Sequence, residues 1–181
     1  MSDLTPQQRR QQRTRAAILA AAREIIKESG ADKLSIRGIA KRIDYSPAGL
    51  YEYFAGKEAI IEALCERGEA QLTAYLRRVP ADMAIEARWP AMLQAYVDFA
   101  RENPEFFTLM FMTLSVGTET PDDWGESDYP ESSFAILYNM IEEAIAAGYI
   151  YRRPGYDTFE IAYSVWSLAH GMAVLQTGYL Q

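Results

Sequence analysis

The order of apolar and polar positions along this chain is helical from end to end. Thr5-Pro6 caps and starts a first predicted helix that runs to about Ser29, with Ile18, Ala22, Ile25 and Ile26 inward and Gly30 as its stop. Ser35 then caps a shorter helix with Ile36, Ile39, Ala40 and Ile43 on one face and Arg37, Lys41 and Arg42 outside. Asp44 stands where the chain must turn, and Asp tolerates the left-handed conformation better than most non-glycine residues. Ser46 as cap and Pro47 at the first helical position begin a third helix that ends at Gly56, with Leu50 and Phe54 inward. Its other side shows Ala48, Gly49, Tyr51 and Tyr53, small enough to let a backbone approach DNA or long enough to reach a phosphate or base edge. Two short helices around a tight turn, the second without a charged face, read as a helix-turn-helix.

A fourth helix runs from Lys57 to about Val79 through Ile60, Ile61, Leu64, Leu72, Tyr75 and Leu76, and connects this unit to the rest. Beyond Pro80 the pattern stays helical and turns aromatic. Pro90 to Glu102 presents Leu93, Tyr96, Val97 and Ala100; Asn103-Pro104 ends that helix and starts another with Phe106, Phe107, Met110 and Phe111. Ser115 to Glu131 is a long acidic loop rich in turn formers. Two final helices are expected over Ser132 to Ala147 and Tyr156 to about Gly178. With no period-two run and no internal repeat, the class is all-α.

The segment LSIRGIAKRIDYSPAGLYEYFAGK and the preceding TRAAILAAAREIIKESG resemble the tetracycline-repressor (TetR) family of one-component transcription regulators. One departure is Asp44, where that family usually has glycine. The resemblance implies DNA-facing positions at Arg37, Pro47, Ala48, Gly49, Tyr51, Tyr53 and Lys57, with Ser46 as the cap of the recognition helix and Ile36 at the margin. NPEFFTLMF at Asn103 to Phe111 and WSLAHG at Trp166 to Gly171 are similar to the C-terminal domain of a TetR subgroup named for its Trp-His-Gly signature. The implied organisation is a DNA-binding unit over residues 1–56 and a ligand-binding and dimerisation domain over 57–181.

The net charge of −7 looks wrong for a DNA binder until it is divided along the chain. Up to Val79 there are 14 Lys and Arg against 10 Asp and Glu, a balance of +4; from Pro80 onward there are 4 against 15, a balance of −11. A basic N-terminal part attracts phosphate while an acidic remainder stays off the duplex. Arg9, Arg10, Arg13 and Arg15 on the first helix are candidates for non-specific phosphate contact, solvation being the plain alternative. A polar, arginine-rich start and the lack of an apolar run near membrane-spanning length point to a cytoplasmic protein without a membrane partner.

Catalysis is unsupported. Hydrolysis by a nucleophile and base needs a histidine, and His170, alone of its kind, sits on an apolar helix among Trp166, Leu168 and Met172. One His and one Cys far apart supply no metal-ligand spacing, no phosphate-binding glycine loop occurs, and no cofactor is expected. Cys65 reads as a small buried hydrophobe. The acidic cluster Asp122, Asp123, Glu126 and Asp128 lies in the predicted loop, where solvation is the default.

The bulky side chains of the second half would fill any all-α core, and they also permit a pocket for an apolar or aromatic ligand. Tyr75, Trp89, Met92, Tyr96, Phe107, Phe111, Tyr138, Tyr163, Trp166 and His170 are the candidate lining. By resemblance the protein is a repressor that a small-molecule effector releases from a palindromic double-stranded operator. A single helix-turn-helix makes few base contacts, so a two-fold homodimer is also physically expected. Its interface is expected on the last two helices, where Ala144, Ala146, Ala147, Ala162, Ala169 and Ala173 would allow close packing.

Overall fold

The computed structural model describes residues 4–113 and 132–178, and among them eight α-helices and no strand. The predicted loop from Ser115 to Glu131 and its acidic cluster fall outside the described residues.

Helix α1 spans Pro6–Ser29 and starts as its sequence dictates: the Thr5 hydroxyl accepts from the Gln8 N–H while the Gln8 side chain accepts from the Thr5 N–H. Gly30, at φ 84°, ends it in the left-handed region. Helix α2 (Ile36–Arg42) is capped by Ser35 and α3 (Pro47–Leu50) by Ser46. Helix α4 (Lys57–Leu76) leads into α5 (Ile85–Glu102), α6 (Pro104–Thr108), a single π-turn at Leu109–Thr113, α7 (Ser133–Ala146) and α8 (Thr158–Gly178). Besides α4, which stops at Leu76 short of the expected Val79, three bounds differ from expectation. Helix α5 begins at Ile85, with Pro90 inside it; a proline five residues into a helix was read as its first position. Helix α8 begins at Thr158, because Asp157 accepts the Phe159 N–H and so acts as its cap. The third, the end of α3, belongs to the DNA-facing surface below.

One continuous core runs from α1 to α5 and α6. Ile18, Leu19, Ala22 and Ile26 of α1 meet Ile39, Leu50 and Phe54, and these join Ile60 and Leu64 of α4 and, further on, Phe99 and Phe106. Helix α4 packs on α1, α5, α6 and α7, so it is shared by both halves. A second cluster around Ile141, Ile161 and Ala162 joins α7 to α8. Ala144, Ala162 and Ala173 are fully enclosed there and in the main core, so they pack within the chain and are not free for a partner. The outward face of α8 carries Tyr163, Leu168 and Leu175, each about half exposed or more, with Gly171 between them.

Polar groups tie the halves together. Arg23 of α1 pairs with Glu105 of α6 at 2.5 Å and donates to Asn103 Oδ1 at 3.2 Å, which also accepts from Gln71 of α4 at 2.8 Å. Its guanidinium lies 4.3 Å from the Phe106 ring centroid. The Glu105 side chain is 4% exposed, so removing its partner strands a buried carboxylate, while the 35% exposure of Arg23 lets water take up part of the loss. Arg23→Ala is therefore expected to cost about 2 kcal/mol and lower Tm by ~4–8 °C, with Glu105→Gln in that background restoring part of it. Thermal denaturation of the three chains checks this; an unchanged Tm for Arg23→Ala would mean that the pair contributes no net stability.

Candidate functional site

The candidate DNA-facing surface is built around one turn. Asp44 takes φ 52°, the left-handed conformation that its residue type and position imply, and this brings α3 across α2. The Ser46 hydroxyl accepts the Gly49 N–H at 3.0 Å and Pro47 occupies the first helical position. Regular helix then stops at Leu50 and not near Gly56: the Tyr53 and Phe54 N–H groups both fold back onto the Leu50 carbonyl, at 3.0 and 3.1 Å. Arg15 of α1 donates to the Tyr53 carbonyl at 2.8 Å and places its guanidinium 4.0 Å from the Phe54 ring centroid, which ties the end of this segment to α1.

Arg37, Ser46, Pro47, Ala48 and Tyr51 are exposed, Tyr51 at 58%, while Ile36, Gly49, Tyr53 and Lys57 are half-buried on the same surface. Of the four candidate arginines near the start of α1, Arg15 is engaged within the chain and Arg9 donates to the Leu4 carbonyl at 2.6 Å; Arg10 and Arg13 stand exposed. Tyr45 belongs to this surface and was not singled out from sequence. Its ring is 41% exposed, meets Tyr53 edge-on at 6.3 Å and covers Gly49, where an added Cβ would come within 2.6 Å of it. The glycine thus leaves room for a tyrosine ring as well as for a backbone approach. Their spacing of four residues at the start of a helix was the available signal.

The second site is a cavity of about 260 Å³ between α4, α5, α7 and α8. Leu76 enters from α4; Trp89, Pro90, Met92, Leu93 and Tyr96 from α5; Ser133, Leu137 and Met140 from α7; Val165, Trp166, Leu168 and Ala169 from α8. Of the ten candidate residues, Trp89, Met92, Tyr96 and Trp166 stand in this wall. Phe107, Phe111 and His170 form an aromatic cluster directly behind it. The imidazole stacks on Phe107 at 4.9 Å, lies 5.3 Å from Trp166 between centroids, and holds Nδ1 3.0 Å from the Tyr96 hydroxyl. Tyr75, Tyr138 and Tyr163 are elsewhere. Tyr75 donates to Glu102 at 2.5 Å and packs on Phe99, Tyr138 sits in the α7–α8 cluster, and Tyr163 stacks on Phe159 at the surface.

Electrostatics around the cavity follow from burial. Desolvation holds the His170 pKa below its ordinary value, so the ring is neutral at neutral pH, and the same cause holds the Tyr96 phenol protonated well above neutrality. Sequence gave no hint of Glu69, whose carboxylate accepts the N–H of Ser133 at 2.6 Å and its hydroxyl at 3.0 Å, fastening the start of α7 to α4. Elsewhere on α4, burial and the neighbouring Glu62 and Glu66 push the Cys65 thiol up to about 11, which leaves it inert as a nucleophile.

Two family models cover most of the chain. Residues 18–64 match the model of bacterial regulatory proteins of the tetR family, and residues 89–179, half of the chain, match the tetracyclin repressor-like C-terminal domain. The chain belongs to the TetR family. It is a DNA-binding transcription regulator and not an enzyme. A solved protein of unknown function from Rhodococcus sp. RHA1 is similar over 91% of this chain and 82% of its own, at 30% identity and a TM-score of 0.74. The transcriptional regulator UidR of Escherichia coli K12 is 41% identical over 66 residues, 36% of this chain and 34% of its own. The nucleoid occlusion factor SlmA of Glaesserella parasuis is 34% identical over 77 residues, 42% of this chain and 38% of its own. The matched stretches thus span less than half the length of either curated relative. No helix among the described residues of this TetR-family chain is long and apolar enough to cross a membrane.

The His170 environment has a pH signature. A folded-state pKa held below the unfolded value of about 6.5 contributes stability that is present above that value and is lost as pH falls through the folded pKa. The native chain is therefore expected to lose Tm relative to His170→Gln as pH falls from ~7.5 to ~5.5. Parallel Tm curves for the two chains would show that His170 is as solvated folded as unfolded.

Proposed function

We propose that this chain is a ligand-responsive repressor, a homodimer released from a palindromic operator when a small apolar or aromatic molecule fills the cavity. Residues 1–56 act as the DNA-binding unit and 57–181 as the effector and dimerisation domain, with α4 serving both. The observation that carries this reading is the position of the cavity: its wall includes Leu76 of α4 and Ser133, and Ser133 is fastened to Glu69 of α4. The other end of α4 packs through Ile60 and Leu64 in the core that seats Leu50 and Phe54. A guest that displaces α7 from α4 shifts the support of the recognition helix, and in a dimer it changes the separation of two such helices. Transmission runs through Glu69 and Leu76, with Tyr75 one residue away from the wall. A coupling of ~1 to 3 kcal/mol corresponds to roughly 5- to 150-fold release.

The dimer rests on the exposed apolar strip of α8, where Leu168, Gly171 and Leu175 recur at helical spacing beside Tyr163. Size-exclusion scattering is expected to give a dimer, and selection from random DNA a palindrome with half-sites ~34 Å apart or a multiple of it. A monomer at working concentration contradicts this reading.

Among the DNA-facing positions of α3 and its flanks, Tyr51 is 58% exposed and Lys57 opens α4, where free N–H groups favour an anion. Tyr51→Ala is expected to cost about 1 to 3 kcal/mol of operator affinity. Lys57→Ala is expected to weaken all sequences alike and reduce the salt slope by ~1 unit. Fluorescence anisotropy at several salt concentrations reads both, and unchanged affinity in the two variants would remove α3 from the duplex.

Ala169 lines the cavity, so Ala169→Trp is expected to fill it, reducing the response to effectors while sparing operator binding. A broad thermal-shift screen in which no compound alters operator affinity would leave a constitutive DNA-binding protein in place of a ligand-responsive one.

A further inference from the structure

The cavity wall has four side chains with a polar atom: Ser133, Tyr96 and the indoles of Trp166 and Trp89. Ser133 donates its hydroxyl and its N–H to Glu69, at 3.0 and 2.6 Å. Tyr96 lies 3.0 Å from Nδ1 of a neutral His170, and an unprotonated Nδ1 accepts from a phenol O–H. The Trp166 indole N–H lies beside that same hydroxyl. Beside His170, what the wall offers a guest is therefore a lone pair, that of the Tyr96 oxygen. No lysine or arginine stands in the wall, and the Glu69 carboxylate sits directly behind Ser133. A carboxylate guest would lose its hydration, find no counter-charge, and face a like charge.

We propose that the cavity selects an apolar guest carrying one hydrogen-bond donor, a phenol or an alcohol, and rejects the corresponding carboxylate, with Tyr96, held by His170, as the acceptor that orients it. This rests on the reading of the cavity as the effector site, and it adds the chemistry of the effector. A donor on the guest completes the chain guest O–H to Tyr96 oxygen, Tyr96 O–H to His170 Nδ1, whereas an ether of the same shape leaves the Tyr96 lone pair unmet.

The test uses the full chain and three probes of one shape, β-naphthol, methyl β-naphthyl ether and β-naphthoate, titrated at neutral pH with tryptophan fluorescence and with operator anisotropy. β-Naphthol is expected to bind about five- to tenfold more tightly than the ether. β-Naphthoate is expected to bind at least about a hundredfold more weakly than β-naphthol. Tyr96→Phe is expected to bring β-naphthol and the ether to equal affinity with operator binding retained. Because the chain has one histidine, nitrogen NMR of the imidazole reads its tautomer without assignment, and the hydrogen is expected on Nε2.

β-Naphthoate that binds as well as β-naphthol and releases operator would overturn the donor rule and leave the effector reading standing. Equal affinity of β-naphthol and the ether for the native chain, or a hydrogen on Nδ1, would likewise overturn it. Failure of all three probes to bind a chain that still holds its operator would overturn the effector reading as well.

Discussion

Helix α4 is a twenty-residue element whose sides are claimed by different partners, and most of the structure follows from that constraint. Near its start Ile60 and Leu64 close the core beneath the helix-turn-helix; near its end Leu72 and Leu76 belong to the core of the C-terminal half. Hydrophobic burial fixes it at both ends, and this is the rigidity on which the proposed release mechanism relies. Gly68 marks the middle. An added Cβ there would lie 2.4 Å from Met110 Sδ and 3.4 Å from Phe106 Cβ, so a glycine that costs about 1 kcal/mol in helix propensity permits the close approach of α6 and the π-turn.

Around this apolar frame the polar ties divide into two sets with different reach. Arg23, Glu105, Asn103 and Gln71 join α1 and α4 to α6 and fix how the DNA-binding unit sits on the rest. Glu69 and Ser133 join α4 to α7 at the mouth of the cavity. Glu105 and Asn103 of the first set are buried, with Arg23 and Gln71 half-buried around them; the second set borders the cavity, where on the proposed reading a guest would compete with it.

Much of this was legible in the sequence wherever the physics is local. The caps Thr5, Ser35 and Ser46, the first-position prolines Pro6, Pro47 and Pro104, and the left-handed Asp44 each act within a few residues, and each stands where the pattern placed it. What failed was long-range or ambiguous. Pro90 satisfies the rule for a helix start, yet α5 begins five residues earlier. Helix α8 is apolar on its core side and on its outer side, so periodicity could not tell enclosed Ala162 and Ala173 from exposed Leu168 and Leu175. The aromatic list likewise mixed cavity wall with packing: composition shows that bulky residues are present, and only the fold decides whether they meet around a void. Glu69 and Arg15 owe their roles to partners on other elements, and nothing in their local sequence announces them.

The contact between Tyr45 and Gly49 bears on how such a regulator can change its operator over evolutionary time. Any side chain at position 49 must first displace the ring at 45, and that ring also braces Tyr53. Single substitutions at 49 therefore disturb two neighbours on the DNA-facing surface at once, whereas exposed Tyr51, outside that contact, is free to vary alone. Divergence of this lineage toward new operators would run through independent change at 51 and paired change at 45 and 49, so that related chains should show those two positions drifting together.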